Sequence, residues 1–248
     1  FPKKVFKMSR SVCAIIGAGE GLGQALAKKF ANQGYDIALI SRSFEGSALA
    51  FEAVSSIGSD VKHFCADAQN PIAIENAIAN VISEMGEIEV LIYNVRGQFT
   101  KCEPLDMSYE QLSEVYNTEV VGAFAAAKSV LPKMIKNSKG SIFFSSATAA
   151  YRGSNTHPLY AIGKFGLRAL SQSLSKAYAK EGVHIIHVRL DCDLDVPYMK
   201  QSYGTEYNPD NLANPDDVAE SYWLTHLQPK SAWSNEIELR PYTEHWTY

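Results

Sequence analysis

Cysteine is scarce: Cys13, Cys65, Cys102 and Cys192 lie far apart, and no two form a C-x-x-C pair. That spacing excludes a disulfide-stapled scaffold and a thiolate zinc cluster, and it fits reduced thiols in a cytoplasmic setting. The six histidines are scattered too, with no H-E-x-x-H pair among them. Asp191, Asp193 and Asp195 alternate, but no second group of hard ligands accompanies them, so no metal is expected. Basic charge is not in excess: Lys plus Arg number 23 against 27 Asp plus Glu, a net charge of −4. This excludes a dedicated nucleic-acid binder. The one dense basic stretch, Lys3, Lys4, Lys7 and Arg10, reads as a solvated tail over residues 1–10. No apolar run approaches the ~20 residues of a membrane helix, and no secretory segment follows the basic start. Internal repeats and low-complexity tracts are lacking, so residues 11–248 are expected to form one domain.

What is present is an alternation of short β-branched runs with longer helical periods. Strands are expected at Val12–Ile16, Ile37–Ile40, Val61–Cys65, Ile88–Tyr93, Ser141–Ser145, Val183–Leu190 and Glu236–Arg240. Helices are expected over residues 21–33, 45–57, 71–85, 108–136, 158–180 and 215–227. Residues 191–214 have little periodicity and read as a long loop with a short helix, suited to a lid. Strands alternating with helices imply a doubly wound α/β fold, a mostly parallel seven-stranded sheet covered on both faces.

Between the first strand and the first helix stands Gly-Ala-Gly-Glu-Gly-Leu-Gly, with Gly17, Gly21 and Gly23 in a G-x-x-x-G-x-G register. Glycine there permits a tight turn and close approach of a pyrophosphate, and the helix N-terminus offers N–H groups to its charge. The second strand ends Ile40-Ser41-Arg42-Ser43 with no acid before Glu45. A guanidinium flanked by hydroxyls suits a ribose 2′-phosphate, so NADP(H) is favoured over NAD(H). Glu20 argues the other way, because its charge sits in the same turn.

Tyr160 and Lys164 are one helical turn apart and share a face. An ammonium beside a phenol favours phenolate, so Tyr160 is expected to titrate below its reference of about 10 and to act as general acid or base. By chance roughly one such pair arises in a chain with 13 tyrosines. The weight of this pair comes from its place, between the Ser141–Ser145 and Val183–Leu190 strands.

Over residues 11–241 the sequence resembles the short-chain dehydrogenase/reductase family. Gly17, Gly21 and Gly23 match its glycine motif, and Tyr160 and Lys164 its Y-x-x-x-K. Asp67-Ala68 is similar to its adenine-contacting step, and Gly122, Phe124, Leu131, Pro132 and Met134 to a characteristic helix. The resemblance implies an oxidoreductase for a small or medium carbonyl or alcohol. Tyr160 would pass the proton, Lys164 would hold the ribose and tune Tyr160, and Leu22, Ser41, Arg42 and Asn94 would join the glycines and Asp67-Ala68 around the cofactor. It also implies a homodimer or homotetramer built on the two long helices, with no nucleic acid and no membrane as partner.

Several positions depart from the family pattern. Its N-N-A-G reads Tyr93-Asn94-Val95-Arg96, its catalytic Asn falls on Glu119, and its catalytic Ser falls on Ala147. Ser146 and Thr148 flank that alanine, and either hydroxyl could take its place in polarising the carbonyl, Ser146 standing as the catalytic candidate. The family's Thr-Pro after the sixth strand reads Val196-Pro197. Glu119 would offset part of the Lys164 field and leave Tyr160 less acidic than usual. These losses sustain a second expectation, a nucleotide-binding scaffold or cofactor sensor without turnover. Trp223, Trp233, Trp246, Tyr222 and Tyr242 are expected to serve packing, and Lys128, Lys133, Lys136 and Lys139 to complement a helix C-terminus.

Overall fold

The computed structural model describes residues 10–244. Lys3, Lys4, Lys7 and Trp246 lie outside the described residues. Seven strands form one sheet in the order β3-β2-β1-β4-β5-β6-β7, every neighbouring pair parallel. They are β1 (Val12–Ile16), β2 (Asp36–Ser41), β3 (Val61–Cys65), β4 (Ile88–Tyr93), β5 (Ser141–Ala147), β6 (His184–Leu190) and β7 (Glu236–Leu239). The helices are α1 (Leu22–Asn32), α2 (Ala48–Ile57), α3 (Pro71–Met85), α4 (Tyr109–Tyr116), α5 (Gly122–Asn137), α6 (Pro158–Tyr178), α7 (Pro197–Tyr203) and α8 (Pro215–His226).

A sheet covered on both faces needs strands that are apolar on both sides. In β1 Ala14 and Ile16 enter one core, with Ala126, Val130 and Leu167 of α5 and α6. Cys13 and Ile15 enter the other, with Leu26 and Phe30 of α1 and Val218 and Tyr222 of α8. Trp223 packs edge-on against Phe30, and Trp233 stacks on His184 with centroids 4.5 Å apart. Tyr242 departs from the packing expectation: the residue is 86% exposed.

The helix expected at 108–136 is interrupted. A π-helical turn, Asn117–Val121, joins α4 to α5. The extra residue per turn rotates the chain, so that Thr118, Glu119 and Val120 all point into the interior. Residues 191–214 hold α7 and short 3-10 turns. Lys128, Lys133 and Lys139 pair with Glu75, Glu87 and Glu89 rather than with a helix terminus alone. Among the described residues no group of His, Cys, Asp and Glu is arranged to hold a metal, and no helix is long and apolar enough to cross a membrane.

Candidate active site

Strand order reverses between β1 and β4, and a ligand crevice is expected outside the carboxyl ends of strands at that switch. A cleft of about 480 Å³ lies there, walled by Gly17, Ala18 and Gly19, by Ser41, Arg42 and Ser43, by Asp67 and Ala68, and by Asn94 to Gln98 with Thr118. Gly17 turns with φ 85°, and a Cβ there would lie 2.6 Å from the Asn94 carbonyl oxygen. Asn94 fastens this turn to β4: its amide Nδ2 donates to the Gly17 carbonyl at 3.0 Å, and its backbone N–H donates to Ile16 at 2.8 Å.

The residues present fit a dinucleotide. No side chain caps the start of α1, so main-chain donors remain for an anion. Arg42 is exposed on the cleft wall and has no ion-pair partner among the described residues. Asp67 lies opposite, its Oδ1 accepting from the Gln69 N–H at 3.0 Å. The Ser41 hydroxyl is engaged within the protein, donating to the Ser43 carbonyl at 2.7 Å and meeting His63 Nε2 at 2.9 Å. Gly21, Leu22 and Gly23 stand just beyond the cleft wall. Leu22 buries its side chain in the α1 core, and Val196 of the loop after β6 presses close on Gly21.

Tyr160 and Lys164 do share a face of α6, with the ammonium 5.6 Å from the phenol ring. Phe99 meets Tyr160 edge-on at 5.0 Å and stacks on His157 at 4.3 Å, and Arg96 lies 5.5 Å from the Phe99 ring. An acidified phenol is not found. Burial raises Tyr160 above its ordinary range, and the downward pull of Lys164 is opposed by the carboxylate of Glu119.

The two hydroxyls beside Ala147 are placed differently. Thr148 donates to Asp191, and Asp191 pairs with Arg240 at 2.7 Å. Ser146 is buried and has no hydrogen-bond partner among the described residues. Strand alternation puts it on the opposite face of β5 from Ser145, whose hydroxyl meets that of Tyr222 at 2.8 Å. Asp193 and Asp195 accept from Tyr203 and Tyr207, each at 2.8 Å.

Sequence reasoning missed Phe99 and His157 as neighbours of Tyr160. They come from two loops whose approach has no periodic signal. It also missed how Gly97 and Gly163 leave space for Glu119. A glycine at each position is visible in the sequence, but what it faces is not.

The comparisons with known proteins bear on this geometry. The family model for short chain dehydrogenase matches residues 11–192. An uncharacterized oxidoreductase of Staphylococcus epidermidis is 25% identical over 235 residues, covering 95% of this chain and 99% of that one. The crystal structure of a short-chain dehydrogenase from Rhodopseudomonas palustris is 28% identical, covers 94% of this chain and 99% of its own, and superposes with a TM-score of 0.80. A metagenomic short-chain oxidoreductase in complex with NADP has the same fold at 20% identity, with a TM-score of 0.81 over 94% of this chain and 99% of its own. The chain belongs to the short-chain dehydrogenase/reductase family. It is an oxidoreductase of that family with a nucleotide-binding Rossmann-type fold.

Proposed function

We propose that the protein is an NADP(H)-dependent oxidoreductase of a small or medium carbonyl or alcohol. The observation that carries this reading is the cleft itself. It runs from the glycine turn past Arg42, which has no ion-pair partner among the described residues, and past Asp67-Ala68 to Arg96, whose guanidinium lies against Phe99, the ring that meets Tyr160 edge-on. The cofactor, when bound, supplies or accepts the hydride. Tyr160 donates its phenolic proton to the carbonyl oxygen in reduction and takes the proton back in alcohol oxidation. Phe99 packs edge-on against the ring of that phenol and stacks on His157, which sets one aromatic side of the site. Arg42 supports NADP(H) over NAD(H), because a guanidinium can bind a phosphate through two parallel hydrogen bonds. The NADP in the metagenomic neighbour supports the same choice. Ser146, unpartnered, is the hydroxyl left free to polarise the carbonyl.

The second copy of the chain implied by the family fits the outer face of the helical layer. Tyr116, Phe124, Ile162 and Phe165 stand exposed on α4, α5 and α6 there.

The test is a fluorescence titration with NADPH and NADH, followed by a carbonyl screen. NADPH is expected to bind more tightly than NADH, and Arg42→Ala to weaken NADPH about tenfold or more while sparing NADH. Tyr160→Phe is expected to abolish turnover and leave binding intact. Binding of NADPH without turnover of any carbonyl, unchanged in Tyr160→Phe, would instead identify a nucleotide-binding scaffold. The loss of a hydroxyl at Ala147 favours that second reading.

A further inference from the structure

At the centre of the α4–α6 layer lies an ion pair with almost no access to water. Glu119 is 0% and Lys164 2% exposed, with Nζ 2.8 Å from Oε2. The ammonium also donates to the carbonyl oxygens of Val95 and Ser145, each at 3.3 Å. A lysine has three N–H donors, and here all three end on the protein. The other carboxylate oxygen accepts the Gly97 N–H at 2.6 Å.

The carboxylate has a site built for it. A Cβ at Gly97 would come within 3.0 Å of Glu119 Oε1, and one at Gly163 within 2.7 Å of its Cγ. The π-helical turn delivers the side chain between them. A glycine of the loop after β4, a glycine of α6 and an irregular helical turn are arranged around one glutamate.

We propose that Glu119 is a positioning residue: it is the permanent partner of Lys164, and the two form a closed, neutral unit that clamps the loop after β4 to α6 and holds Tyr160. Lys164 then carries no ligand. Holding the cofactor's ribose, the role the family resemblance implies for Lys164, falls to other groups of the cleft. The phenol is left facing a pair of no net charge, in which Glu119 opposes the pull of Lys164, together with Arg96 and Asp193.

This rests on Tyr160 as the acid–base group, yet its tests need no turnover. The first is the tyrosinate absorbance of the resting protein against pH, taken as the difference between parent and Tyr160→Phe. In a Glu119→Gln background the Tyr160 step is expected at lower pH, because the Lys164 charge is no longer cancelled. In Glu119→Gln/Lys164→Met it is expected to move back up, to the parent's position or above it. The second test is NADPH affinity. The double variant is expected to stay within a few-fold of the parent, whereas loss of two charged hydrogen bonds to a ribose would weaken it about tenfold or more.

Removing one partner of a buried pair destabilises a fold, and replacing both by neutral groups commonly does not. The double variant therefore keeps the test open if Glu119→Gln fails to fold. A Tyr160 step unmoved by Glu119→Gln, or a tenfold loss of NADPH in the double variant, overturns the proposal. Failure of the parent itself to bind NADPH would count against the proposed function, and the tyrosinate difference would still decide the role of Glu119.

Discussion

His187, in the middle of β6, is fully buried, and neither ring nitrogen has a hydrogen-bond partner among the described residues. Burial pulls its pKa down to about 4. An unfolded chain would bind the proton near the ordinary value of about 6.5. The native state, which keeps the ring neutral, is therefore fully favoured above that pH and loses stability as pH falls toward 4. The parent is expected to lose about 2 kcal/mol more than His187→Leu between pH 7 and pH 4.5, read from urea unfolding at those two values. Parallel losses in the two proteins would mean that the imidazole is charged in the fold. At this scale the sequence shows which side chains lie together where spacing is the signal. Tyr160 and Lys164 were legible because one helical turn fixes their neighbourhood. The partner of Lys164 was only half legible. Glu119 is 45 positions away, and register against the family could place it without showing that it would displace solvent and saturate the ammonium.

At the scale of elements, periodicity found every strand within a residue or two at each end and every principal helix. It could not show the π-helical turn: Asn117–Val121 holds mostly weak helix formers, which mark a soft stretch of helix but do not tell a π turn from an α turn. The irregularity arises from packing, where Glu119 must reach the space left by Gly97 and Gly163. The approach to that turn is set by the capping box of α4. The Ser108 hydroxyl accepts the Gln111 N–H at 3.1 Å, and the Gln111 side chain accepts the Ser108 N–H at 2.9 Å. Ser108→Ala is expected to lower stability by about 1 kcal/mol. The urea midpoint should fall with the slope of the transition unchanged. An unshifted midpoint would show that tertiary contacts alone hold α4 in place.

For the whole molecule, the two apolar layers close the sheet but leave Phe124 46% and Phe165 43% exposed on neighbouring helices. Sedimentation velocity is expected to find a dimer or tetramer, and Phe165→Glu to release monomers by placing a charge in the joint. A parent that sediments as a monomer at micromolar concentration would remove the proposed second copy.

The amino-acid order determined the alternation of strand and helix, the parallel sheet, the glycine turn on the first crossover and the Tyr160–Lys164 step. Each of these depends on short-range stereochemistry or on a periodic apolar pattern. Only the tertiary structure decided which hydroxyl near Ala147 is tied to Asp191 and which is left bare, that Tyr160 is held above its ordinary range, and that Lys164 is spent on Glu119. Those outcomes depend on exclusion of water and on charges brought together from distant segments, and both exist only once the two layers have closed on the sheet.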